Sequence, residues 1–156
     1  MGQEIERKFL IGELPSDLNQ YSHKELTQGY VEITDNSEER VRQKEDRYFH
    51  TIKTSSGLSR EENEKEITED EYESGLKNAG DKIVEKTRYK IPYNGKTIEL
   101  DIYHGKLNGL VTAEIEFDSV KESETFKSPD WFRKEVTEDK RYKNQSLAVF
   151  GIPSRE

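Results

Sequence analysis

The sequence predicts an α+β fold, mainly antiparallel β, in which eight strands close into a barrel with helices packed outside. Three observations lead there. Eight segments alternate apolar and polar side chains with the period of two that marks a half-buried strand. Turn residues join several of them as hairpins. Few connections are long, and closure is how such a set of strands removes its edges.

The first strand covers roughly residues 3–11 and contains EIERKFL, where Glu4, Glu6 and Lys8 share one face because side chains two apart on a strand point the same way. Seven more follow: LTQGYVEI (26–33), EERVRQKE (38–45), RYFHTIKT (47–54), REENEKEI (60–67), KIVEKTRYKI (82–91), KTIELDIYH (96–104) and LVTAEIEFD (110–118). Asp35-Asn36, Ser55-Ser56-Gly57 and Asn94-Gly95 supply the hairpin turns. Two helices open on capping boxes, Thr68-Glu69-Asp70-Glu71 and Ser119-Val120-Lys121-Glu122. The first runs to about Ala79 and stops at Gly80, and its stripe of Tyr72, Leu76 and Ala79 packs on the barrel exterior. A third starts near Thr137, carries EDKRYKNQSLAVF and ends before Gly151 and Pro153. Trp131 and Phe132, after Pro129, read as anchors of a helix.

The chain has 156 residues, the size of one domain, and nothing divides residues 1–156. A hydrophobic fraction of 30%, a charged fraction of 37% and a mean hydropathy of −1.07 border on the composition of disorder. The charges, however, alternate with Ile, Val, Leu, Tyr and Phe rather than forming solvated blocks, so an ordered chain is expected. There is no cysteine, no apolar run near the length of a membrane span and no signal-peptide layout, which points to the cytoplasm and away from membranes. A formal net charge of −8 disfavours nucleic acid as a partner.

Strand parity collects the charges on one face: Glu4, Glu6 and Lys8; Arg40, Arg42 and Lys44; Thr51 and Lys53; Glu62, Glu64 and Glu66; Lys86 and Arg88; Glu99 and Asp101; Glu114 and Glu116. For any one strand this is the ordinary solvated side of a sheet, and a β-sandwich with no site would show it. Across the chain, acidic pairs recur on some strands and basic pairs on others, and that segregation needs a reason. Paired carboxylates are hard oxygen donors suited to Mg²⁺ or Mn²⁺, and Arg and Lys on neighbouring strands suit phosphate oxygens. The two sets together fit a metal–polyphosphate complex in a lumen that is wet, ligand-filled or internally paired, because unpaired buried charge is very costly.

EIERKFL resembles the E-x-E-x-K signature of the CYTH domains, the triphosphate tunnel metalloenzymes. RVRQK, the strand with Lys53, SREENEKEI, VEKTRY, IELDIY, AEIEF and TEDKRYKN follow in that family's order over essentially the whole chain. The resemblance implies an eight-stranded tunnel that binds a linear triphosphate. It further implies metal-binding carboxylates at Glu4, Glu6, Glu114 and Glu116, with Asp101 beside them, and Glu62 and Glu64 completing the acidic side as catalytic candidates. Lys8, Arg40, Arg42, Lys53, Lys86 and Arg88 become the phosphate clamp, Lys8 also having a catalytic role. Arg141, with Lys140 and Tyr142, belongs to an element closing one mouth. The expected activity is metal-dependent hydrolysis of inorganic tripolyphosphate to pyrophosphate and phosphate. A thiamine triphosphatase, a nucleoside triphosphatase and a class IV adenylyl cyclase would share nearly all these residues, and a non-catalytic polyphosphate or nucleotide sensor is the reading from another class. A homodimer is left open.

Other signals carry less. Gly95-Lys96-Thr97 lacks the first glycine of a phosphate-binding loop and reads as a hairpin turn, and His23, His50 and His104 have no metal-site spacing.

Overall fold

The computed structural model describes residues 5–56 and 58–154. Among the described residues there are nine strands: β1 (Ile5–Ile11), β2 (His23–Ile33), β3 (Ser37–Lys44), β4 (Arg47–Ser56), β5 (Ser59–Ile67), β6 (Ile83–Tyr93), β7 (Lys96–His104), β8 (Val111–Phe117) and β9 (Phe132–Glu135). Three helices accompany them, α1 (Glu69–Ala79), α2 (Val120–Thr125) and α3 (Asn144–Phe150). Among the described residues no helix is long and apolar enough to cross a membrane.

The hairpins form where turn residues permit the required backbone. Asn94 and Gly95 both have positive φ, 48° and 80°, so the β6–β7 connection is a tight turn of the kind that matches strand twist. Thr68 caps α1 through its side chain and Glu71 returns the bond to the Thr68 amide, which completes the capping box. The helix stops at Gly80, whose φ of 65° is readily adopted only without a Cβ.

The strands make one antiparallel sheet in the order β5, β4, β3, β2, β6, β7, β8, β1, β9. The sheet is open, which corrects the closed eight-stranded barrel. The edge of β1 that would have closed onto β5 is occupied by β9, where Phe9 faces Glu135 and Ile11 faces Phe132. Phe132 is buried with its ring 4.8 Å from that of Phe9, so this aromatic pins a strand beside β1 where the sequence suggested a helix anchor. At the other edge, β5 is exposed along all but its last residue, and its dense charge keeps the strand from pairing again.

The third helix also differs from expectation. The Val136 amide donates to the Lys8 carbonyl and the Lys8 amide donates to Thr137 Oγ1, holding this stretch extended against β1. Asp139 then caps a single 3₁₀ turn, Lys140–Tyr142, and regular helix begins only at Asn144.

Two apolar clusters sit on opposite faces of the sheet. One joins Phe9, Ile98, Leu100, Ile115, Phe117 and Phe132 on the outer side of β1, β7, β8 and β9. The other gathers Tyr30, Val84, Tyr103, Tyr142, Leu147 and Ala148, and so fastens the C-terminal turn and α3 over the charged face.

Candidate active site

Strand register shows that the charges share one face. Lys8 stands opposite Glu114 and Glu6 opposite Glu116 across β1 and β8, and Glu114 in turn faces Glu99 on β7. Asp101 faces Arg88 on β6, and Arg88 faces Lys24 on β2. Gln28 faces Arg42 on β3, Arg40 faces Thr51 on β4, and Lys53 and Thr51 face Glu62 and Glu64 on β5. Taken in sheet order, the face is acidic on β5, basic on β3, β2 and β6, and acidic again on β7, β8 and part of β1. Glu4 lies outside the described residues.

The basic centre holds the buried charges. Lys86 and Asp101 are only 5% and 4% exposed, and Lys86 Nζ lies 2.9 Å from Asp101 Oδ2. Arg88 grips the same carboxylate with Nε at 2.8 Å and Nη2 at 2.9 Å. Burial alone would push the Asp101 carboxyl up, but Lys86 and Arg88 hold it below the usual carboxylate range. Burial likewise works against the charge on Lys86, and Tyr103 and Asp101 outweigh it and raise the ammonium pKa. Both ions therefore persist at neutral pH.

On the other side of this centre, Arg42 Nη2 reaches Glu64 Oε1 at 2.6 Å, and Thr51 Oγ1 donates to the same oxygen at 2.9 Å. Partial burial would raise the Glu64 pKa, but Thr51 and Arg42 bring it below its ordinary value. Arg40 bonds Glu38 at 3.0 Å and approaches Glu62 at 3.8 Å. The Nε atoms of Arg40 and Arg42 are buried with no hydrogen-bond partner among the described residues. Both arginines line a cavity of about 170 Å³ with Lys44, Lys86, Arg88 and Gln28.

The C-terminal segment spans the face. Lys8 Nζ donates to the Tyr142 carbonyl at 2.7 Å, Tyr103 Oη bonds Asn144 Oδ1 at 3.3 Å, and Gln145 Nε2 bonds Glu38 at 3.0 Å. Arg141 is exposed and bonded to Asp139 at 2.7 Å, in a groove with Phe150 and Ile152 rather than in the basic cavity. Its neighbours Lys140 and Lys143 line a wider cavity of about 760 Å³ with Lys53, Arg60 and Glu62. Strand parity, which places Lys44 on this face, could also have singled out Lys24, Arg60 and Lys90. TEDKRYKN includes Lys143 and Asn144 without giving either a role, and no pattern marks Gln145; all three reach the face only because the chain folds back over it.

Among the described residues no three carboxylate or imidazole groups already form a metal cage. Glu114 and Glu116 have no ion pair there, and with Glu6 they put hard oxygen donors on adjacent strands. That set fits Mg²⁺ or Mn²⁺, since Mg²⁺ uses one or two protein carboxylates and completes its shell with water and substrate oxygens.

An open antiparallel sheet with a cationic centre between carboxylate margins defines an anion-binding face furnished with donors for hard cations. The CYTH domain model matches residues 2–149, and the chain belongs to the CYTH domain family. It is 44% identical to an inorganic triphosphatase of Nitrosomonas europaea over 149 residues, 94% of this chain and 97% of that protein. An inorganic triphosphatase of Acetivibrio thermocellus is 40% identical over 151 residues, 94% of each. A crystal structure of an inorganic triphosphatase superposes with a TM-score of 0.84 at 40% identity, covering 99% of both chains.

Proposed function

We propose that the chain is a metal-dependent inorganic triphosphatase that hydrolyses tripolyphosphate to pyrophosphate and phosphate on its charged face. The observation that carries this reading is the pair of buried Arg40 and Arg42 Nε–H groups, without a hydrogen-bond partner among the described residues, in one cavity with Lys86 and Arg88. A buried charged donor without an acceptor is expensive, and a phosphoryl oxygen supplies the missing acceptor. The names of the Nitrosomonas and Acetivibrio relatives favour the inorganic substrate over nucleotides.

In this reading Lys8, Arg40, Arg42, Lys53, Lys86 and Arg88 clamp the triphosphate. Asp101, both of whose oxygens are engaged, is assigned to holding Lys86 and Arg88 in place rather than to the metal. Arg141, paired with Asp139, steadies the covering turn. Glu6, Glu114 and Glu116, with Glu4 ahead of them in the chain, would hold Mg²⁺ or Mn²⁺, which when bound neutralises phosphate oxygens and acidifies coordinated water. Glu64 is tied to Arg42 and Thr51, whereas Glu62 has a longer contact and is the freer carboxylate to take a proton from the attacking water. The water oxygen bonds to the terminal phosphorus as the bridging P–O bond breaks, and the electron pair leaves on pyrophosphate, where the arginines and lysines stabilise it. All these residues belong to one chain, so the reading serves a monomer and a homodimer alike. A cysteine-free chain suits the reducing cytoplasm.

The test is phosphate release from tripolyphosphate, ATP and thiamine triphosphate with Mg²⁺, Mn²⁺ or chelator. Metal-dependent turnover fastest on tripolyphosphate is expected, reduced on the order of a hundredfold or more in Glu6→Gln and Glu116→Gln. Binding without turnover on any of the three would instead mark a sensor, and pyrophosphate with a cyclic product from ATP would mark a cyclase.

A further inference from the structure

We propose that Glu38 is a positioning residue for Arg40, that it keeps the guanidinium fork of Arg40 open for a phosphoryl group, and that Gln145 of α3 holds it there. This rests on the triphosphatase reading and names what sets the geometry of its clamp.

A guanidinium binds an anion bidentately along an edge, and one such edge is made by Nε–H and Nη2–H. Arg40, Arg42 and Arg88 line the inner cavity, and they use that edge differently. Arg88 gives both Nε and Nη2 to Asp101, at 2.8 and 2.9 Å. Arg42 gives Nη2 to Glu64 at 2.6 Å, while its Nε has no hydrogen-bond partner among the described residues. In Arg40 the edge is open. Its Nε is buried and likewise without a partner, and its Nη2 stands 3.8 Å from Glu62, too far to bond it.

The difference lies in Nη1, which Arg40 donates to Glu38 Oε2 at 3.0 Å. Glu38 and Arg40 are two apart on β3 and share a face. Their side chains are only 16% and 13% exposed, so water competes little for the bond. Released from Glu38, Arg40 would be free to turn onto Glu62 and close its fork, as Arg42 and Arg88 have closed on their own carboxylates. It would then also tie up the carboxylate assigned to the attacking water. Glu38 is fixed in turn from the cover. Its second oxygen, Oε1, accepts from Gln145 Nε2 at 3.0 Å, across 107 residues of chain. Gln145 stands in the first turn of α3, a helix that buries Leu147 and Ala148 completely. The seat of α3 therefore reaches Arg40 through two hydrogen bonds.

The experiment measures kcat/KM on tripolyphosphate with Mg²⁺, and tripolyphosphate affinity in chelator by calorimetry. Glu38→Gln and Gln145→Met are each made in the wild-type chain, in Arg40→Lys and in Glu62→Gln, the last read by affinity alone. Glu38→Gln removes a negative charge beside the cleft, so on charge alone affinity would rise, whereas loss of positioning makes it fall. In the wild-type chain Glu38→Gln should lower kcat/KM on the order of 10- to 100-fold, with a loss of affinity. Gln145→Met, which changes no charge, should lower kcat/KM by about 3- to 10-fold. In Arg40→Lys both changes should matter by less than about twofold, since lysine has no fork to present. In Glu62→Gln the affinity loss should shrink, because no carboxylate is left to close on Arg40. Equal losses in all three backgrounds would show that Glu38 and Gln145 support only the fold and would overturn the proposal. Tighter binding in Glu38→Gln, or full kcat/KM in both single variants, would overturn it too, and a loss confined to Glu38→Gln would overturn the link to α3. Failure of wild type to hydrolyse tripolyphosphate overturns the triphosphatase reading instead, and the affinities in chelator, which need no turnover, still decide whether Glu38 positions Arg40.

Discussion

Asp101 is the residue on which the cationic centre turns. It is buried, and it neutralises two cations that are themselves largely or partly buried, so removing its charge leaves Lys86 without its partner in the interior. Breaking a buried pair in this way costs about 3–5 kcal/mol, and Asp101→Asn should show that loss in urea unfolding at pH 7. The pH dependence follows from the direction of each shift. The folded Asp101 carboxyl sits below its ordinary range, so its contribution is complete above the unfolded value of about 3.9 and is lost as pH falls through the folded value. Lys86 is raised, so its contribution is complete below the unfolded value of about 10.4 and is lost as pH rises past the folded one. The stability difference between wild type and Asp101→Asn should thus be flat between about pH 5 and 10 and shrink on both sides. A difference that stays constant down to pH 2 would mean that the carboxylate is not ion-paired in solution.

Among the elements, α1 meets the sheet through a close approach that its sequence does not advertise. Gly75 lies mid-helix, where alanine would normally gain about 1 kcal/mol in helix propensity. A Cβ there, however, would stand 2.6 Å from Val41 Cγ1 on the outer face of β3. Overpacking of this kind costs about 1–3 kcal/mol, so Gly75→Ala should lower stability despite the propensity gain, and Val41→Ala in the same chain should recover part of the loss. Denaturation midpoints of the two single variants and the double variant check this. The same contrast separates what was legible in the sequence from what was not. Alternation over EIERKFL, EERVRQK and IELDIY fixes which side chains share a face, because a one-residue slip would turn every charge into the core. Closure depends on which strand takes the free edge of β1, and the four residues of β9 carry no periodicity of their own. The fold-back of Tyr142, Asn144 and Gln145 is likewise settled by burial of Tyr142 and Leu147 against distant strands, a long-range fact absent from TEDKRYKN itself. Hence the face was readable residue by residue, while its open edge and its cover were not.

For the whole molecule, the arrangement of charge across the sheet has a consequence that binding can read. In the protein alone the basic centre is partly neutralised by its own margins, Arg42 by Glu64, Arg88 by Asp101 and Glu99, Arg40 by Glu38. Beside that centre Glu6, Glu114 and Glu116 add negative charge on adjacent strands, which opposes a triphosphate unless a divalent cation accompanies it and neutralises them. Tripolyphosphate with Mg²⁺ should therefore stabilise the fold more than either alone. At a hundred times its Kd a ligand adds about 2.7 kcal/mol. For a chain of this size that corresponds to a rise of roughly 5–11 °C in Tm. Removing the acidic margin in Glu6→Gln/Glu116→Gln should reverse the metal requirement for binding: tripolyphosphate in chelator should then raise Tm by more than it does in wild type, although turnover is lost. An equal shift in the two proteins under chelator would show that the carboxylates do not oppose the anion, and the acidic margins would need another role. A larger shift in the variant would show that one sheet face holds the two halves of a metal–phosphate site in mutual repulsion until the cation joins them.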